Sequence, residues 1–156
     1  MAQFLISLSN LLHTLATILF VGYFALMGTL IIPILSVKGA IGMQALSELS
    51  KRSRWWLYGA LAVFAITGVY LTLSDANYSG FGEFDSTWSI LMLAKHIIIL
   101  VMLAIGFWFN AIKRVGPAML STSNAAAGLK RFTLYCNLMN ICGLLVVALT
   151  AIGQMQ

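Results

Sequence analysis

Apolar residues in this chain gather into four long runs, about 4–34, 55–73, 88–109 and 132–152, separated by three polar stretches. The hydrocarbon core of a bilayer takes about 20 apolar residues per helix, so each run is long enough to span a membrane. The first is too long for one perpendicular span and is expected to tilt or to lay its first turns at the interface. Pro33, which has no backbone N–H and clashes with the preceding turn, is expected to end it. The pattern predicts an all-α fold: a single domain over residues 1–156, built as an integral membrane four-helix bundle.

The polar stretches differ in charge. The first, "SVKGAIGMQALSELSKRSR", carries Lys38, Lys51, Arg52 and Arg54 against Glu48, and part of it is read as a short surface helix. The second, "SDANYSGFGEFDST", carries Asp75, Glu83 and Asp85 and no Lys or Arg. The third, Lys113 to Arg131, carries Lys113, Arg114, Lys130 and Arg131 and no acid. Cations flank spans on the cytoplasmic side. The first and third stretches are therefore expected in the cytoplasm, with the second stretch and both termini on the outer side. Trp55, Trp56, Tyr70, Trp88 and Trp108 fall near span ends, where aromatic side chains form interfacial belts. The opening "MAQFLISLSN" lacks a positive n-region and reads as the start of a retained helix, not a signal peptide. The expected address is the cytoplasmic membrane of a prokaryote, as a multi-pass protein.

Composition narrows the class further. The 156 residues are 61% hydrophobic and 8% charged, with a mean hydropathy of +0.96. Soluble domains carry about 25% charged residues, so an ordinary water-soluble globule is excluded. The net charge of +5 sits beside the spans as a topology signal. Nucleic-acid binding would need a basic patch on a soluble face, and none is visible. Cys136 and Cys142 lie in one helical run, roughly 120° apart in projection. That spacing suits neither a chelate nor a disulfide, and both are read as small buried hydrophobes.

Ionisable groups inside a span are costly and point to function. Three fall in the predicted spans: His13 in the first, and Lys95 and His96 side by side in the "LMLAKHIIIL" of the third. No Asp or Glu lies within a span, so Lys95 has no intrahelical counter-ion. His96 lies about 12 Å in from Trp88. If the first helix begins near Phe4, His13 lies at the same depth, in the outer half of the bilayer.

Two imidazoles at one level on two helices suit the two faces of a b-type haem. Gly22, Ala16 and Ala94 are expected to leave room for the ring. Ser9 or Thr17, each four residues from His13, is expected to accept its second ring N–H and fix the tautomer. Lys95 is expected to pair with a haem propionate or to snorkel to the interface.

A competing reading places a copper ion on His13 and His96 with Met92, since thioether and imidazole ligands suit copper(I). In a third reading these side chains only bond helix to helix. Thr133, Asn137 and Asn140 form a polar stripe expected to face the bundle interior. Thr67-Gly68 in the second span is read as a close helix contact.

The segments "LLHTLATILFVGYFALMGTLIIP", "ITGVYLTL" and "WSILMLAKHIIILVMLAIGFW" resemble the membrane portion of the copper-resistance protein D superfamily. That group is similar in turn to the four-helix protoporphyrinogen oxidases. The resemblance covers most of the chain. The family pattern is a histidine after leucine in helix 1, a Thr-Gly in helix 2 and a lysine after an apolar triplet in helix 3. Here it falls on His13, Thr67, Gly68 and Lys95. The resemblance implies copper handling in one branch, and haem binding or porphyrin oxidation in the other. His96 stands outside the pattern, which favours a second axial ligand over plain copper transport. "IIPILSVK" stands where the oxidase branch has a Leu-Pro-Arg stretch, which argues against that enzyme activity.

The expected function is that of a small b-type cytochrome. Haem b would be held by His13 and His96 between the first and third spans near the outer face. The chain would serve as a non-catalytic electron-transfer subunit of a larger membrane complex. Copper binding or transport, and a cofactor-free structural subunit, are the alternatives. Expected partners are other membrane subunits, with a quinone or an outer-face cytochrome among them.

Overall fold

The computed structural model describes residues 1–75, 80, 87–109, 120 and 125–153. These form α1 (Ala2–Leu26), a π-helical turn (Met27–Ile31), α2 (Ile32–Ser36), α3 (Gly39–Leu73), α4 (Thr87–Phe107) and α5 (Ala125–Gly153). Among the described residues there is no strand. Four helical stretches are long and apolar enough to cross a membrane: Gln3–Ser36, Gly39–Leu73, Thr87–Phe107 and Ala125–Gly153. The chain is thus an all-helical, multi-pass membrane protein.

The first helix does not stop at Pro33. The π-helical turn carries it past the proline to Ser36. In that turn Ile32 donates its N–H to the Met27 carbonyl, five residues back. The wider turn shifts the bonding pattern just ahead of Pro33, which then sits in the first turn of α2, where a missing N–H is tolerated. Only Val37 and Lys38 separate α2 from α3. Gly39 takes the left-handed conformation there, with φ of +59°. Gly42 lies so close to the Leu35 carbonyl that any side chain would collide with it.

The first polar stretch is therefore largely helical. α3 is one helix of 35 residues, about 52 Å long, where a short surface helix and a separate span were expected. Its Trp55–Leu73 portion, about 28 Å, matches a hydrocarbon core. Its first half carries Lys51, Arg52 and Arg54, with an exposed Arg52–Glu48 ion pair at 2.8 Å. Likewise α5 starts at Ala125 rather than near residue 132, so Lys130 and Arg131 lie on its first turns. Glu83, Asp85, Lys113 and Arg114 fall outside the described residues.

Side-chain contacts fix the helix directions. His13 meets Thr67 and Tyr23 meets Ser53, so α1 runs antiparallel to α3. Val21 packs on Gly143 and Gly28 on Asn137, so α1 is antiparallel to α5. Met92 faces Gly153 and Gly106 faces Tyr135, so α4 is antiparallel to α5. Helices alternate up and down, which gathers the α3 and α5 cations at one end and His13, Lys95 and Asp75 at the other. Within the bundle α1 packs chiefly on α3 and on α5, and α4 packs on α5; α3 and α4 make little direct contact.

The core is centred on Phe24, Met27, Leu46 and Cys136, all fully buried. Phe24 meets Tyr135 edge-on at 5.4 Å, which joins α1 to α5. The outer surface is apolar along α1, with Leu11, Leu15, Ile18 and Leu19 exposed, as lipid contact requires. Trp55 and Trp56 are 78% and 79% exposed. Trp88 is different: expected in an interfacial belt, it is buried and faces inward. The α5 polar stripe also divides. Asn137 is exposed beside Gly28, Asn140 is half-buried with a buried Oδ1 that has no partner, and Thr133 bonds back to the Leu129 carbonyl.

Candidate functional site

α1 begins at Ala2, so it has the early start that brings His13 well inside the helix. His13 faces α3, where Phe64, Thr67 and Gly68 share one side at the i, i+3, i+4 spacing of a helix face. The Phe64 ring stacks on the imidazole, centroids 4.4 Å apart and planes 22° from parallel. A Cβ on Gly68 would stand 3.1 Å from His13 Cε1 and 3.7 Å from Nδ1. A side chain there would press on the ring, so the glycine sets how closely α3 approaches it.

His13 Nδ1 lies 2.9 Å from Thr67 Oγ1. Thr67, itself buried, donates its single hydroxyl proton to the Val63 carbonyl at 2.6 Å. Its oxygen is then the acceptor for His13, and Nδ1–H is the donor. In the neutral ring that leaves the lone pair on Nε2, the nitrogen available to a metal or a proton.

His13 lines a cavity of about 390 Å³ at this end of the bundle. α1 contributes Asn10 and His13, α3 Gly68 and Thr72, α4 Met92 and Lys95, and α5 Thr150 and Gly153. Lys95 is half-buried. Asp75, just past the end of α3, also lines this cavity. It stands two residues beyond Leu73, outside the apolar run of the second span.

The structure brings together some of the predicted site residues and not others. His13, Lys95 and Met92 share the cavity. His96 is not among the described residues that line it. It is half-buried, and its Nδ1 donates to the Met92 carbonyl one turn back, at 2.6 Å. Thr17 donates to the backbone carbonyl of His13 at 2.8 Å, and Ser9 is half-buried one turn before His13. The hydroxyl that meets the imidazole is that of Thr67 on the neighbouring helix. Gly22, Ala16 and Ala94 do not line the cavity; Gly68 and Gly153 do. Cys136 and Cys142 are both free thiols, Cys136 buried.

Among the described residues no three His, Cys, Asp or Glu side chains converge. Compared with protein-family models, curated proteins and solved structures, the chain matches none.

Proposed function

We propose that this chain is a small membrane haem protein that carries electrons, with a b-type haem in the His13 cavity. The observation that carries the reading is the Thr67–His13 pair. It fixes the ring and leaves Nε2 as the ligand nitrogen, in a cavity that also holds Lys95.

The donor set decides between haem and a bare ion. A macrocycle brings four nitrogens of its own and needs one or two more from the protein. A copper ion would have His13 and Met92 in the cavity as imidazole and thioether, a pairing suited to copper(I), with the Asp75 carboxylate also on the cavity wall. It would also face the Lys95 ammonium, and like charges at close range in a low-dielectric site repel strongly. The same ammonium attracts carboxylates. Lys95, with Asn10, Thr72 and Thr150 as hydrogen-bonding neighbours, suits propionates.

Bound there, a haem supplies a one-electron couple. The chain's own part is to present Nε2, to hold the imidazole between Phe64, Thr67 and Gly68, and to hold the acid groups through Lys95. His96 serves the second iron face only if its side chain turns toward the cavity.

The dithionite-reduced absorption spectrum of the purified protein tests this. A b-type alpha band is expected, lost in His13→Ala. A six-coordinate spectrum that becomes five-coordinate in His96→Ala assigns the second ligand. Copper without haem on metal analysis establishes the copper reading, and neither cofactor leaves a structural subunit.

A further inference from the structure

A second cavity, of about 220 Å³, lies toward the opposite, cationic end of the bundle and shares no lining residue with the first. Between them, Thr17, Phe20, Phe64, Ile99, Met102 and Val146 close on a void of only about 20 Å³. The walls of the second cavity are aromatic: Phe20, Phe24, Phe107, Phe132 and Tyr135 all face it. Its polar lining includes one stripe of α3, with Ser50, Arg54 and Tyr58 at four-residue steps, together with Tyr23 of α1 and Tyr135 of α5. Arg52 is engaged by Glu48, whereas Arg54 makes no ion pair among the described residues. The cavity is lined from both α3 and α4, which make little direct contact with each other, so the seam between them is its weakest wall.

We propose that this cavity binds the head group of a quinone drawn from the bilayer. Aromatic walls accept a flat ring by stacking and edge contacts. The guanidinium and hydroxyls of Arg54, Ser50 and Tyr58 are donors suited to ring carbonyls. The seam between α3 and α4 gives an isoprenoid tail a path into lipid. A phospholipid fits less well. Its phosphate calls for more cationic donors than one unpaired guanidinium, and its acyl chain has no need of an aromatic slot. The site stands independently of the haem reading, because no residue serves both cavities.

The experiment uses the full chain in phosphatidylcholine nanodiscs, titrated with an azido-quinone that is photo-crosslinked and mapped by peptide mass spectrometry. Saturable labelling is expected on the facing segments of α3, α4 and α5, displaced by decylubiquinone. Arg54→Gln is expected to weaken binding by about tenfold, the loss of one charge-assisted hydrogen bond. Arg52→Gln, which removes a neighbouring charge that does not line the cavity, is expected to bind normally. Gly106→Leu is a second test: a Cβ there stands 4.0 Å from the Tyr135 hydroxyl, so the rest of the side chain fills the cavity. Loss of labelling in a Gly106→Leu protein of normal helicity supports the site, and if that variant does not fold, Arg54→Gln alone decides. Labelling that is not saturable, equal binding by Arg54→Gln and the parent, or displacement by phosphatidylglycerol but not by decylubiquinone overturns it.

Discussion

His13 on α1 donates a hydrogen bond from Nδ1–H to Thr67 Oγ1 on α3 across 2.9 Å, and the Thr67 hydroxyl in turn donates to the Val63 carbonyl. The chain of bonds runs one way, because a carbonyl only accepts. Thr67→Val keeps the shape and removes the acceptor. It is expected to lower stability by about 1 kcal/mol, the scale of an interhelical hydrogen bond in a membrane. It also releases the tautomer, so haem retention should fall, while Thr67→Ser keeps both. Unfolding in mixed micelles and the reduced alpha band measure the two effects separately.

Gly68 offers a graded test of how tightly α3 holds the imidazole. A methyl at 3.1 Å from Cε1 asks the ring to give by a few tenths of an ångström. Gly68→Ala is expected to fold with reduced haem occupancy, and Gly68→Leu to lose the cofactor. The ratio of haem to protein absorbance reads this out. Full occupancy in Gly68→Leu would place the cofactor elsewhere.

Lys95 separates haem from copper by the sign of its effect. If its ammonium holds propionates, Lys95→Gln should lower haem retention several-fold, by removing charge-assisted hydrogen bonds. If the cavity holds a copper ion, the same variant removes a repelling charge and should raise copper affinity. Metal analysis and haem content on one preparation distinguish the outcomes.

The cations at the far end of α3 and α5 give the orientation expected from the sequence a direct test. With Lys51, Arg54 and Lys130 facing the cytoplasm, Ser74→Cys should react with an impermeant maleimide added to intact cells. Lys51→Cys should react only after permeabilisation. The opposite pattern would turn the protein over in the membrane.

The four membrane helices were legible in the sequence because unbroken apolar length is a signal that no tertiary contact can mimic. Their ends were less so. Pro33 reads as a terminator, yet a π-helical turn carries the helix past it, and no local residue rule announces such a turn. The basic stretch before Trp55 reads as a loop with at most a short surface helix because its charges break the apolar run, yet it is continuous with the span as one helix, with Met43 and Leu46 buried on one side. At the site, His13 and Lys95 stood out because ionisable groups in a span are rare. Thr67 and Gly68 read from the sequence as a close helix contact, and only the family resemblance tied them to His13, since Thr-Gly pairs are ordinary packing in membrane helices. Depth placed His96 level with His13, but depth does not say which way a ring turns. The short bond to the Met92 carbonyl decides that locally.

The loose seam between α3 and α4 bears on how the protein matures. The helices are linked in the order α3, α1, α5, α4, a row whose two ends meet without closing it firmly. Spreading those ends costs little packing, whereas parting α1 from α5 would break the Phe24–Tyr135 contact and parting it from α3 would break the His13–Thr67 and Tyr23–Ser53 bonds. If the proposed haem binds, this seam is where the four helices would part at least cost to admit it from the lipid.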